Sequence, residues 1–452
     1  MNNNIYSKRI NSPEKEKVDS IINMLESIEE TEKEKLPESK NSKLIPRDIN
    51  LGEVYEEISK IGVIPREIID IVTCIIASHA LQINPPLWLM IIGVPSSFKT
   101  ELVKLFELDE VYTLDTLTEN SFASGYVEKG TKKTFDLLPN LNDKCLIIKD
   151  LTTLFSLNDE TVKKILGDLT SIFDGEYRKY TGNRGLIEHY SLFSFMGCIT
   201  PSILNKHTRY VHQLGPRFLY LRLPELTQED MEKAKSIAWN LKDRGNKIKE
   251  VRLIVSSFAN QFIKKLKNEV LPEITDIALR EKVFAMAEFI AVTRGIVIIK
   301  GSSFENENKE KRNYYEVIDR QIEQPWRIFN QLKSLSQILA LLHGNNEVTE
   351  TDITTLKLVI SSSMPIPRAE IINSIGLSEG LTKKEIADSI GKSIKTVERG
   401  AKELIALGIL DSYQKDANSA KHFFIIEKHR PIIEFLQDSE FVSNSESISS
   451  VQ

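Results

Sequence analysis

The sequence predicts an α/β fold: a core built on a parallel sheet, then an all-helical unit, then a small α+β unit. Three observations carry this prediction. Wholly apolar runs at Leu87–Ile92, Cys145–Ile148, Leu192–Thr200 and Phe218–Leu223 read as strands buried on both faces, as parallel sheets require. Helices or turns separate these runs, and alternation of strand with helix indicates an α/β core over 46–225. From 226 to 364 the pattern changes to helix almost throughout, and a compact third unit follows over 365–437.

The composition sets limits. With 452 residues, 41% hydrophobic and 27% charged, the chain is long enough for several domains and has an ordinary globular balance. The net charge of -5 means that any nucleic-acid binding must come from local patches. Cys74, Cys145 and Cys198 are far apart in apolar runs, which excludes a zinc cluster of the usual spacing and a disulfide framework. The longest apolar run, Leu87–Val94, is well short of the ~20 residues a membrane span needs, and Met1–Ser12 has no h-region. A cytoplasmic protein without a membrane anchor is expected.

Taken in order, residues 1–45 form a charged leader, with one amphipathic helix expected around Val18, Ile21, Ile22 and Leu25. Helical periodicity dominates from Leu51 to Leu81 and stops at Pro85-Pro86. After the strand Leu87–Ile92 comes Gly93-Val94-Pro95-Ser96-Ser97-Phe98-Lys99-Thr100, then a helix over Glu101–Phe106. Strand, small-residue loop, Lys-Thr and helix are the context of a Walker A phosphate loop. In such a loop, backbone N–H groups around Gly93, Pro95, Ser96 and Ser97 wrap a phosphate. Lys99 neutralises the β- and γ-phosphates of ATP, and the Thr100 hydroxyl ligates Mg²⁺. Phe98 departs from the pattern, standing where glycine is usual. Its side chain is expected to strain the backbone or crowd the nucleotide.

The run Cys145–Ile148 continues into Lys149-Asp150, the form of a Walker B strand in which Lys149 takes the first acidic position. Asp150 is then the carboxylate left to hold Mg²⁺ or orient water. Either it covers one role alone, or hydrolysis is slow.

On these residues the stretch 87–360 resembles the AAA+ module of minichromosome-maintenance helicases, particularly the forms carried by bacterial mobile elements and phages. The resemblance implies a hexameric ring that hydrolyses ATP between subunits and moves DNA. Asp174–Glu188 (DGEYRKYTGNRGLIE) falls where the family has a hairpin that grips single-stranded DNA in the channel. Thr181-Gly182-Asn183-Arg184-Gly185 has hairpin-turn composition in its own right. Arg178, Lys179 and Arg184 are its candidate DNA contacts. Thr200 is similar in position to a polar sensor of the γ-phosphate. Leu214-Gly215-Pro216-Arg217-Phe218 resembles the arginine-finger segment, so Arg217 would reach a neighbour's ATP. Pro325-Trp326-Arg327 resembles the start of the helix carrying a second sensor arginine, Arg327. Arg222, on the same strand as Arg217, is the weaker finger candidate. Two arginines suit the charge that develops on a transferring phosphoryl group. No part of residues 1–45 resembles the family's N-terminal collar.

The third unit reads as helix, turn, helix and a two-stranded wing. Thr382 and Glu385 form a capping box, Gly391 turns the chain, and Ser393 caps a second helix, Ile394–Leu407. This resembles a winged-helix domain. Lys395, Arg399 and Lys402 share one face at spacings of four and three, as expected for duplex DNA contacts. Over 381–430 there are 10 Lys/Arg against 7 Asp/Glu. Residues 438–452, rich in Ser and Glu, are expected to form a disordered tail. The reading is therefore an ATP- and Mg²⁺-dependent DNA translocase or helicase working as a homo-oligomer in DNA replication of a mobile element. The alternative is an ATP-switched DNA-binding initiator or regulator with weak or no hydrolysis.

Overall fold

The computed structural model describes residues 39–127, 134–206, 217–305, 311–416 and 419–438. The helix expected near Val18–Leu25, the segment Leu214–Pro216 and the tail beyond Asp438 lie outside them. The chain divides into two compact units, Met1–Leu44 and Ile45–Gln452. Of the first, one 3₁₀ turn at Lys40–Lys43 is described.

The second unit is built on a five-stranded parallel sheet. Its strands are β1 (Trp88–Ile92), β2 (Val111–Leu114), β3 (Cys145–Ile148), β6 (Ser194–Ile199) and β7 (Phe218–Arg222), in the order β2-β3-β6-β1-β7. Every residue of β1, β3 and β6 is buried, which explains why these strands stand out as unbroken apolar runs. The edge strand β2 is buried only at Val111 and carries no such run. Trp88, Met90 and Ile92 join helix Asp159–Ile172 in one apolar cluster. Helix Arg66–Ala77 packs on β6 outside that cluster, so helices flank the sheet. Trp88 anchors the amino end of β1. Phe173, Phe193, Phe195 and Phe218 surround it at 5.0 to 5.5 Å between centroids, and its indole N–H donates to the Phe193 carbonyl at 3.0 Å. Burying an aromatic ring with its one donor satisfied removes the main cost of placing Trp in a core.

Between β3 and β6 stands an antiparallel hairpin, β4 (Glu176–Thr181) and β5 (Gly185–Tyr190), paired from Glu176↔Tyr190 to Thr181↔Gly185. Gly185 has φ of +69°, a left-handed turn position that glycine occupies without strain.

After β7 come helices Gln228–Asn240, Arg244–Asn268, Ile277–Thr293, Trp326–Leu342, Glu350–Thr355 and Lys357–Ser363. The expectation of an all-helical unit here is corrected by a long hairpin, β8 (Ile296–Glu305) against β9 (Lys311–Gln321). Ile296-Val297-Ile298-Ile299 is a β-branched run that suits a pleated strand better than a helix. Ile298, Val317 and Ile318 are exposed, and among the hairpin residues whose burial is described none is buried, so no buried face marks those residues in the sequence.

The C-terminal elements are helix Ile366–Ile375, β10 (Leu381–Thr382), helix Lys383–Ile390, helix Ile394–Ala406, β11 (Leu410–Tyr413), β12 (His422–Ile425) and helix Arg430–Gln437. The three strands form a sheet in the order β10-β12-β11. The capping box of Thr382 with Glu385 is present, Gly391 is left-handed at φ +63°, and Ser393 caps Thr396. These elements are fixed to the helices before them. The Arg368 guanidinium, 8% exposed, donates to the Thr293 and Gly295 carbonyls at 2.8 and 2.6 Å and to Glu403 at 3.1 and 3.2 Å.

Candidate nucleotide site

The carboxyl ends of three adjacent strands bring together residues that the sequence singles out. Gly93 N–H donates to the Ile199 carbonyl at 3.1 Å, and Leu151 N–H to that of Cys198 at 2.8 Å. The loop after β1, Thr200 after β6 and Asp150 after β3 are therefore neighbours along one sheet edge. The chain leaves β1 toward β2 at one side and leaves β6 toward β7 at the other. Such a switch point opens a crevice where parallel α/β sheets bind ligands.

The loop holds strained and unsatisfied groups. Ser96 and Phe98 both adopt positive φ, +64° and +68°, each costing about 1–2 kcal/mol for a residue with a Cβ. Phe98 thus keeps the backbone conformation that glycine would take freely. Its ring lies against Gly62, where an added Cβ would come within 2.8 Å of it. Gly93 is needed for a related reason: a Cβ there would sit 2.3 Å from Ser97 Oγ. That hydroxyl is buried with no hydrogen-bond partner. Lys99, 8% exposed, turns its ammonium back onto the Val94 carbonyl at 3.0 Å, within the curve of the loop. Thr100 is half-buried at the start of helix Lys99–Lys104.

Asp150 is exposed and accepts from Thr152 N–H at 2.9 Å. Lys149 faces away, paired with Asp115 beyond β2 at 2.7 Å. Thr200 shares a 3.3 Å hydroxyl contact with Ser202. Beneath the edge, Cys198 is pushed up to about 12 by burial, with Lys99 lowering and Asp150 raising it. It stays a neutral thiol, close enough to feel both charges.

Arg217 and Arg327 lie at the other end of the sheet. Phe218 pairs with Trp88, so Arg217 sits beyond the amino end of β1, one strand length or about 16 Å from Gly93. The two guanidinium carbons are 5.9 and 5.6 Å from the centroid of the same ring, Phe173. Burial and then Arg327 lower the Arg217 pKa. Nearby, burial raises the Glu323 carboxyl, against Arg294, Arg327 and Arg217. Phe173 as a shared platform and Glu323 as the acid beside it carry no motif in the sequence. Their placement depends on contacts far apart in the chain. Arg222 is at the loop end of β7, opposite Ile92, with its Nη2 on the Met364 carbonyl at 3.2 Å and Nε and Nη1 buried without partners.

The candidate DNA-contacting residues differ in availability. Arg178 is exposed and paired with Glu188 at 3.0 Å and Glu176 at 3.8 Å. Lys179 donates to Asn120 and to the Ala123 carbonyl at 3.1 and 3.0 Å. Arg184 turns inward, 15% exposed, onto Asp136 at 2.8 Å and onto the Ser124 carbonyl at 2.6 Å. Asp136 also meets His189 at 2.9 Å. Burial would raise the Asp136 carboxyl, but Ser124 N–H, Arg184 and His189 outweigh it and hold it low. The hairpin's outward face therefore carries Tyr180, Leu186 and Tyr190 as exposed residues. On helix Ile394–Ala406, Lys395 and Arg399 are exposed, while Lys402 donates to the Tyr315 carbonyl of β9 at 2.8 Å.

No protein family and no curated protein matches the chain. Among solved structures, the apo A form of the NrS-1 C-terminal region is similar over 81% of this chain and 76% of that one, at 12% identity and a TM-score of 0.23. A similarity at that level carries no argument about fold or activity. Among the described residues, no helix is long and apolar enough to cross a membrane, and no group of His, Cys, Asp and Glu is arranged to hold a metal.

Proposed function

We propose that this chain is an ATP-binding P-loop protein of the AAA+ type that acts on DNA as an oligomer, hydrolysing ATP to move or separate strands. The observation that carries the reading is the loop 93–100. It spends backbone strain at Ser96 and Phe98, keeps Ser97 Oγ without a partner, and folds the Lys99 cation inside its own curve. Strain and unsatisfied polar groups persist where a ligand compensates them, and a buried cation in a loop that leads into a helix N-terminus suits a polyphosphate. Lys99 would take the β- and γ-phosphates, and Thr100 with Asp150 would hold Mg²⁺, which would supply positive charge against the phosphates. Thr200 would orient the terminal phosphate or its water. Arg217 and Arg327, a strand length away from their own loop, would complete the site of a neighbouring copy. Lys395 and Arg399 would meet duplex DNA from a winged-helix arrangement, with Arg178, Lys179 and Arg184 on the channel hairpin.

A second reading, an ATP-switched DNA-binding initiator with little turnover, is favoured by two observations. Lys149 is paired with Asp115, leaving Asp150 the sole acid at the end of β3, and each hairpin cation already has a protein acceptor. ATP turnover with and without single-stranded DNA separates the two. The motor reading expects stimulation by DNA. It also expects Arg217→Ala to lose about 10³-fold or more in turnover while binding ATP normally, with partial recovery on mixing with Lys99→Ala. Unstimulated, negligible turnover with intact ATP affinity would favour the switch. Undiminished ATP affinity in Lys99→Ala would reject both.

A further inference from the structure

Helix Gln228–Asn240 is unlike the other helices of its unit. Among the described helices of eight or more residues, it is the one with no buried residue. It is nonetheless a well-defined helix. Thr227 and Asp230 form a reciprocal capping box, and Lys233 and Lys235 pair with Glu229 and Glu232 along its surface. Local terms of this kind contribute only tenths of a kcal/mol each. An unsupported helix of thirteen residues is marginal in water, and this one also exposes Met231 at 54% and Trp239 at 82%. An almost bare Trp on an otherwise unpacked helix is the composition of an interface core rather than of a solvent face.

Its position says which surface it adjoins. Leu223 N–H donates to the Ile92 carbonyl at 2.8 Å, so the chain enters this helix from beside the loop 93–100. Val94, in that loop, and Leu226, just before the helix, are exposed at 51% and 40%. The opposite edge has an apolar strip of its own. Ile322 and Trp326, exposed at 37% and 59%, bracket Glu323 and adjoin Arg327.

We infer that helix Gln228–Asn240 is the docking element for a second copy of this chain, receiving the Ile322–Trp326 edge of that copy. The inference rests on the proposed composite nucleotide site. The arginines and the loop of one chain lie a strand length apart, so the site is incomplete until a second copy brings its arginine edge to the first copy's loop edge. Two different strips, one beside each half of the site, define a head-to-tail contact rather than a self-complementary one. Repeated, such a contact closes into a ring or runs on as a filament.

The test uses the full chain and two exposed positions, Trp239→Glu and Trp326→Glu; because the Trp326 ring also touches Phe284 at 5.5 Å, a melting curve of each variant first confirms that it is folded. Sedimentation velocity in Mg·ATP should give an oligomer for the wild type and monomers for both variants. Each variant should bind a fluorescent ATP analogue within about twofold of wild type while losing at least about a hundredfold in turnover, since a missing finger is typically worth more than that. An equal mixture should regain part of the turnover. The intact helix of the Trp326→Glu copy can receive the intact edge of the Trp239→Glu copy, which makes one sound junction. If Trp239→Glu assembles and turns over like wild type, the helix is not the docking element, although the composite site stands. Monomeric variants whose mixture stays dead would show that the two strips do not meet, and would also overturn the inference. A wild type that remains monomeric in Mg·ATP overturns it outright, and if that monomer turns ATP over, the composite-site reading falls with it.

Discussion

The loop 93–100 and the β4–β5 hairpin both stand out in the sequence as candidate binding elements, yet they are opposites in the folded chain. The loop holds two strained residues, an orphaned hydroxyl and a lysine that has only a backbone carbonyl to bond. The hairpin holds cations that are all engaged, above all Arg184 on the buried carboxylate of Asp136. A ligand arriving at the loop completes bonds. One arriving at the hairpin must first compete with protein acceptors. Residue type alone does not distinguish a poised site from a satisfied one, and the count of partners does.

The largest expected effect bears on the loop. Lys99→Ala should weaken ATP binding about a thousandfold, roughly the 4 kcal/mol of a desolvated charge pair, and leave thermal stability nearly unchanged. Titration calorimetry beside a melting curve checks both halves. The mirror experiment is Asp136→Ala at the base of the hairpin. It should cost about 3 kcal/mol of stability, because Arg184 and His189 lose their buried acceptor, with ATP affinity held. If Asp136→Ala instead weakens ATP binding and spares stability, the contrast between the two elements is wrong.

The same contrast can be sharpened with pH, through two histidines. His343 is satisfied on both nitrogens, by Asp352 at 2.6 Å and Asp70 at 3.3 Å. Burial alone would lower it, but these bonds lift it to about 9. Its folded value lies above the ordinary 6.5, so its stabilisation is full below that pH and is lost as pH rises through about 9. His79 is buried with neither nitrogen bonded, and burial lowers it to about 4. Its contribution is present above 6.5 and disappears as pH falls toward 4. Urea unfolding across this range should give a dome. His343→Phe should flatten its alkaline limb and His79→Phe its acid limb.

The smallest effect comes from outside the loop. Gly62→Ala would place a Cβ within 2.8 Å of the Phe98 ring. Forcing the ring off its rotamer costs about 1 kcal/mol, so ATP affinity should fall about fivefold. Unchanged affinity would mean that the ring moves without disturbing the loop.

What the sequence makes legible follows from locality. The strand–loop–helix around Lys99, the caps at Thr382 and Ser393, and the turn at Gly185 depend on neighbours within a few residues, and all are readable. Buried strands declare themselves by composition; the edge strand β2 and the exposed hairpin β8–β9 do not, because neither has both faces covered. Partnerships across the chain leave no local trace. Arg184 with Asp136 spans 48 residues, Lys402 with Tyr315 spans 87, and His343 with Asp70 spans 273. Phe98 is an instructive case. The sequence correctly marks it as a departure that strains the backbone, but only the fold reveals that Gly62 gives its ring a place to go. The separation of Arg217 from its own loop likewise depends on the pairing of β7 with β1, which no spacing reveals.

The Arg368 clamp bears on how this molecule can be cut and recombined. Its guanidinium holds the last carbonyl of helix Ile277–Thr293 and that of Gly295 just beyond it, together with a glutamate from another helix, across what the sequence marks as a boundary near residue 365. The elements after that boundary are therefore not an appendage that can be removed or transplanted at will. A chain shortened at 365 would lose Arg368 itself and leave the Thr293 and Gly295 carbonyls open, while a C-terminal fragment would carry a buried cation robbed of two of its acceptors. In evolutionary terms, such a joint is inherited as one piece: recombination that exchanges the C-terminal elements must also supply a partner for the end of helix Ile277–Thr293.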